Sequence, residues 1–198
     1  MKDHSEGVKG IMKTFKGRIM SLVAVLALAA GATLGAPSEA NGQRLGQQPS
    51  AQRIRKELVT LPYYGVFDNL AYEINGGTVT LHGQVVRPST RKDAERRVAR
   101  LAGVTQVVNK IEVLPLSPFD DSIRRATYRS IFNTGALYRY AMGGNPSLHI
   151  IVNRGHVTLE GVVANEGDRR LAYITANGVS GVFSVTNNLR TDRETRAY

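Results

Sequence analysis

Residues 76–85 read GGTVTLHGQV, and residues 154–163 read RGHVTLEGVV. In the first stretch Val79, Leu81 and, beyond Gly83, Val85 alternate with polar or small residues, the period-two pattern of a strand with one buried face. Asn75-Gly76-Gly77 just ahead of it has the composition of a tight hairpin turn. Setting Gly77 on Gly155 fixes an offset of 78 residues that runs without a gap to Val113 and Thr191. Twelve of the 37 aligned positions are identical: Gly77, Val79, Thr80, Leu81, Gly83, Val85, Arg91, Ala94, Gly103, Val104, Val107 and Asn109. Such agreement marks a duplicated unit, and matched glycines mean matched backbone demands. Gly83 and Gly161 are expected to allow a bend in the strand or the close approach of a helix.

Each copy continues in the same order. TRKDAERRVARLAG, residues 90–103, has helical spacing with Ala94, Val98 and Leu101 on one side; Thr90 and Asp93 are read as its capping pair, Asp168 as the equivalent cap of the second copy, and Gly103 as the stop. VTQVVNKIEV then returns as a strand. Upstream, AQRIRKELVTL and DDSIRRATYRSIF read as helices, and NLAYEING and SLHIIVNRG as strands that lead into the hairpin turn. The expected fold is therefore α+β: two modules of order α-β-β-α-β, each a three-stranded mixed sheet with both helices on one face. The first module is assigned to residues 50–114. The second takes 115–191 with an inserted loop at 138–146, and 192–198 is read as a tail. LPLSPF, with two prolines, makes the link between them short and semi-rigid.

The N-terminus predicts export. Lys13, Lys16 and Arg18 precede an apolar run from Leu22 to Ala30, and Ser38-Glu39-Ala40 offers small residues at the positions a signal peptidase reads. Residues 1–40 are read as a cleaved secretory signal, with an uncleaved anchor as the alternative and Met12 as an alternative start to Met1. Their removal leaves 21 basic against 13 acidic residues, so the basicity belongs to the exported part and points to polyanionic partners. The chain has no cysteine, which excludes disulfides, thiol catalysis and thiolate metal sites.

GGTVTLHGQVV, an alanine in the following helix and LAGVTQVVNKIEV together resemble the BON family, whose hallmark is G-x-V-x-L-x-G-x-V followed by G-V-x-x-V-x-N-x-[LI]. Gly77, Gly83, Gly103 and Asn109 match it in the first copy, and Gly155, Gly161, Gly181 and Asn187 in the second. The resemblance implies a tandem BON protein of the periplasm, similar to osmotically induced envelope proteins, with no catalytic residues and no cofactor. It implies binding to phospholipid or another envelope component, in support of membrane integrity or stress tolerance. A chaperone or scaffold for exported proteins is the alternative.

Among candidate contacts, Lys92, Arg96 and Arg100 recur at every fourth residue opposite the apolar face, flanked by Arg91 and Arg97. This stripe suits anionic headgroups, and a merely solvated face is its alternative. The equivalents in the second copy are Arg170, Ile174 and Gly178, so the stripe is absent there. Tyr173 and Ile174 are instead expected to pack on a neighbouring module or protein. Tyr63, Tyr64 and Phe67, and in the inserted loop Tyr138, Tyr140 and Met142, are candidate interfacial or partner contacts, with partial core burial as the alternative. His82, His149 and His156 have no acidic or cysteine cluster at ligand spacing, and no nucleophile is paired with a base, so neither a metal site nor an enzyme is expected. Nucleic-acid binding is disfavoured by the export signal and by the lack of a G-x-x-G loop between two helices.

Overall fold

The computed structural model describes residues 48–143 and 145–196; the predicted leader lies outside the described residues. In α1, Ala51–Val59, Ile54 and Leu58 fall one turn apart and are buried. β1, Asn69–Asn75, and β2, Thr78–Val85, form an antiparallel hairpin that closes with Asn75 opposite Thr78. Gly76 supplies the φ of 57° that its turn requires. After α2, Pro88–Val98, come β3, Gln106–Asn109, and β4, Glu112–Val113, both parallel to β2. Ile54 and Leu58 of α1 and Ala94 and Val98 of α2 meet Val79, Leu81 and Val85 in one core, so both helices cover one face of the sheet.

The second module repeats this plan. It comprises α3 (Pro118–Phe132), a 3-10 turn (Tyr138–Ala141), β5 (Leu148–Asn153), β6 (His156–Val163), α4 (Glu166–Asn177), β7 (Ser184–Asn187) and β8 (Arg190–Thr191). The sheets are separate, β2 and β6 being the central strand of each. Part of the segment read as a tail forms a one-turn helix, α5, Asp192–Arg196. The six-residue link is built into its neighbours, with Leu114 buried and Ser117 capping α3 by accepting the Asp120 N–H at 3.2 Å.

Three local readings need correction. The closing strand of each module is split, because Asn109 replaces the ladder: its Oδ1 accepts the Ile111 N–H at 3.1 Å and its Nδ2 donates to the Arg91 carbonyl at 3.1 Å. Asn187 does the same with Leu189 and Arg169, at 3.2 and 3.0 Å. The break turns Ile111 and Leu189 into the cores. The helix caps are Arg87 and Asn165, and Thr90 and Asp168 sit in the first turns; α2 ends at Val98, ahead of Gly103. Finally, Gly83 and Gly161 serve a strand and not a helix. Their φ values are 114° and 115°, and a Cβ there would collide with the carbonyl of Asn69 or Ser147, where the partner strand begins.

The modules meet along β5. The Ile150 N–H donates to the Val66 carbonyl at 2.7 Å, so the connection before β1 adds to the outer edge of β5. Further along that edge Arg124 Nη2 donates to the Val152 carbonyl at 2.7 Å. Val66 and Phe67 pack on the core of module two, and Phe67 lies edge-on to Tyr128 with ring centroids 6.1 Å apart. His149 Nδ1 is 3.2 Å from the Gly65 carbonyl, and its ring is 5.6 Å from that of Tyr64. Burial at this seam pushes the Tyr64 hydroxyl up to about 12 and pushes His149 below its ordinary value.

Candidate functional site

The outer face of α2 carries Arg91, Lys92 and Arg96 exposed, and Arg100 follows, exposed, in the turn beyond the helix. Arg96 is paired with Asp93 at 2.5 Å, an exposed contact worth little in water. Among the described residues Arg91, Lys92 and Arg100 have no ion-pair partner. Arg97 belongs to the scaffold: its Nη1 donates to the Thr60 carbonyl at 3.3 Å and lies 3.5 Å from Glu57 Oε2, tying α2 to α1. Helical spacing alone places it beside the exposed cations, because spacing does not show which basic side chain a neighbouring helix claims.

The adjoining helix adds cations that the reading of α2 alone passed over. Arg53 and Lys56 are exposed on α1, opposite Ile54 and Leu58, and the same helical periodicity marks them. Together α1 and α2 hold seven basic and three acidic residues, whereas α3 and α4 hold five and four. In module two Arg170 and Ile174 are exposed, while Arg169 is shared between Glu166 and Glu194 at 3.3 and 3.6 Å. One helical layer is thus strongly cationic and its duplicate is nearly balanced.

The aromatic candidates separate by burial. Tyr138 and Met142 are 59% and 63% exposed. Tyr140 is buried and offers no contact surface: its hydroxyl accepts the Ala164 N–H at 2.9 Å and donates to Asp168, which Arg139 also binds. Burial first, then the bond to Asp168, pushes this hydroxyl above its ordinary pKa. Tyr173 and Ile174 remain 39% and 59% exposed; of the two expected partners, a neighbouring module or another protein, the first does not apply, because the seam with module one forms on β5. Tyr64 and Phe67 belong to that seam, and Tyr63 is exposed beneath the Arg87 guanidinium, 4.7 Å from its ring centroid. The histidines have separate partners, His82 facing Glu73 at 3.7 Å and His156 facing Ser184 Oγ at 2.8 Å. Among the described residues no group of three or more His, Cys, Asp or Glu is placed to hold a metal.

The repeated framework of glycines, buried Val and Leu, and strand-breaking Asn has a counterpart among known families. The BON domain model matches the chain twice, over residues 50–115 and 120–193. The chain belongs to the BON family. BON modules are in general non-catalytic, occur in periplasmic or envelope proteins, and are associated with phospholipid or envelope binding. No helix among the described residues is long and apolar enough to cross a membrane. No curated protein matches the sequence. Among solved structures, the tandem BON chain is similar to the C-terminal domain of CdsD, the structural protein of the type III secretion system of Chlamydia trachomatis. The identity is 12%, covering 70% of this chain and 95% of that one, with a TM-score of 0.27. A second structure of CdsD is 13% identical, covers 74% and 94%, and has the same TM-score of 0.27.

Proposed function

We propose that this is an exported, non-catalytic protein of the periplasm that associates with anionic phospholipid surfaces through the helical layer of its first BON module and supports membrane integrity under osmotic or related stress. The observation that carries the reading is the charge contrast between two copies of one fold. Duplication preserves the framework, while α1 and α2 carry seven basic against three acidic residues and α3 and α4 carry five against four. Each basic residue near an anionic membrane contributes about 1 kcal/mol, so three acting together give a free energy of about 3 kcal/mol, or somewhat more than a hundredfold in affinity. Salt weakens such binding, since the Debye length falls from about 10 Å at 0.1 M to about 3 Å at 1 M.

Co-sedimentation with anionic and zwitterionic vesicles at low and high salt tests it. Salt-sensitive binding to anionic vesicles alone is the expected result. Lys92→Glu, Arg96→Glu and Arg100→Glu together should remove most of that binding, and Arg169→Glu with Arg170→Glu should reduce it far less. Equal losses would sink the assignment to module one. The alternative, a chaperone or scaffold for exported proteins, is favoured by the exposed Tyr138, Met142, Tyr173 and Ile174; it predicts vesicle binding indifferent to the stripe.

A further inference from the structure

The two hairpins share one hydrogen-bonding parity. In β5 and β6 the two-residue turn closes on Asn153 opposite His156, so Asn153, Ile151 and His149 bond to β6 and the backbone of Val152, Ile150 and Leu148 faces the outer edge. The bonds made there by Ile150 N–H and Val152 C=O bear this out. In β1 and β2 the turn closes on Asn75 opposite Thr78, so by the same parity Ile74, Tyr72 and Leu70 face the outer edge of β1. Among the described residues no backbone group from another element pairs with Tyr72 or Ile74. Among the described residues, module one thus keeps open an edge that module two has filled.

This edge lines a groove of about 510 Å³ between the modules. Leu70, Ala71 and Tyr72 form one wall, and Ser147 and His149 of module two the other. Arg55 and Arg190 lie along the groove, both exposed, and no carboxylate lines it. From Leu70 to Ile74 the edge runs about 14 Å. The other outer strand of module one, β3, has four residues before its break at Asn109, a short edge of the kind that resists pairing.

We propose that β1 is an acceptor strand: an extended polypeptide segment carrying a carboxylate adds to its outer edge in the groove between the modules. Main-chain bonds to Tyr72 and Ile74 supply sequence-tolerant affinity, and Arg55 and Arg190 select acidic segments. The chain already contains the same pairing, in the Val66 carbonyl seated on the Ile150 N–H, and the groove continues that seam through Tyr64 and His149. The occupant is a peptide and not lipid, because the unpaired groups are alternating main-chain donors and acceptors, which only another extended backbone satisfies in series. A strand acceptor would make the protein a holder of unfolded or partly extended exported chains, independently of its hold on lipid.

The test uses the full protein and two blocked heptapeptides of alternating valine and threonine, one with a central glutamate and one with a central lysine. With the glutamate peptide at millimolar concentration, amide exchange at Tyr72 and Ile74 should slow by about tenfold or more. The lysine peptide should bind about tenfold more weakly. Arg190→Glu, on module two and outside the helical layer of module one, should abolish most of that preference while leaving vesicle binding intact, which separates this site from the stripe on α2. Protection confined to other strands, or none at either peptide, would overturn the proposal. So would protection of Tyr72 that rises with protein concentration in the absence of peptide, which would make a second copy of the chain the occupant.

Discussion

β1 and β5 occupy the same place in two copies of one fold, yet their surroundings differ on two sides. Leu70, Tyr72 and Ile74 pack on the core of module one as Leu148, Ile150 and Val152 pack on that of module two. On the opposite face Ala71 and Glu73 are exposed, whereas His149 and Ile151 are buried. At the outer edge β5 is covered by Val66 and Arg124, while β1 opens on a groove. The same backbone donor is also satisfied by different means: the Val86 N–H reaches the Asp68 carboxylate at 2.7 Å, and its counterpart at Ala164 reaches the Tyr140 hydroxyl at 2.9 Å. Duplication therefore preserved what the hairpin cannot do without and left edges and outer faces free to diverge. The shared demands and the divergent ones can each be broken separately.

The largest effect is expected where the copies agree. Gly83→Ala and Gly161→Ala each combine a φ near 115° with a collision against a backbone carbonyl that no rotamer change relieves. Each should destabilise its module by about 3 kcal/mol or more, as read from chemical denaturation. If only one of the pair does so, the two glycines do not perform the same task.

Next in size is Arg124→Leu, which acts on module two's edge alone. Arg124 is 3% exposed, and its loss leaves the Val152 carbonyl without its partner while freeing Asp121 from a 2.5 Å ion pair. A loss of about 2 kcal/mol is expected, with faster amide exchange at β5 and no change at β1. Equal disturbance of both strands would mean that the edges are not independent.

How much of this was legible in the sequence follows the same division. The ungapped repeat specified the hairpins, the helices over one face and the family, because glycines with positive φ and alternating Val and Leu encode local demands. The buried strand was also written there, though unread: LHIIV at 148–152 is nearly continuous apolar where LAYEI at 70–74 alternates, the difference between two-sided and one-sided burial. The helix caps are displaced from the sequence reading because Thr90 and Asp168 lie inside the first turns, where a capping signature four residues long does not fix its own register. The exposed cations of α2 were legible as a stripe, but the inward turn of Arg97 depends on Glu57 and Thr60, forty and thirty-seven residues away. Tyr140 reads as a loop aromatic because its partners, Asp168 and Ala164, lie 28 and 24 residues away in sequence.

The smallest effect concerns the seam itself and distinguishes the two strands by pH. His149 replaces the exposed Ala71 of module one, and burial holds its pKa below the ordinary 6.5, opposed by bonds to the backbone of Gly65 and Asp68. The unfolded chain therefore takes up a proton at this position at higher pH than the folded one. Stability is fully present above pH 6.5 and falls on acidification, down to the depressed folded pKa, at no more than about 1.4 kcal/mol per pH unit. Asp68, at the other end of the same connection, works in the opposite sense. Burial raises its pKa above 3.8, so between 3.8 and that folded value acidification favours the folded state. Denaturation followed from pH 7 to pH 5 in an Asp68→Asn background isolates the histidine. His149→Gln in that background should flatten the slope and leave the stability of module one unchanged, while an unaltered slope would place the titrating group elsewhere than at the seam.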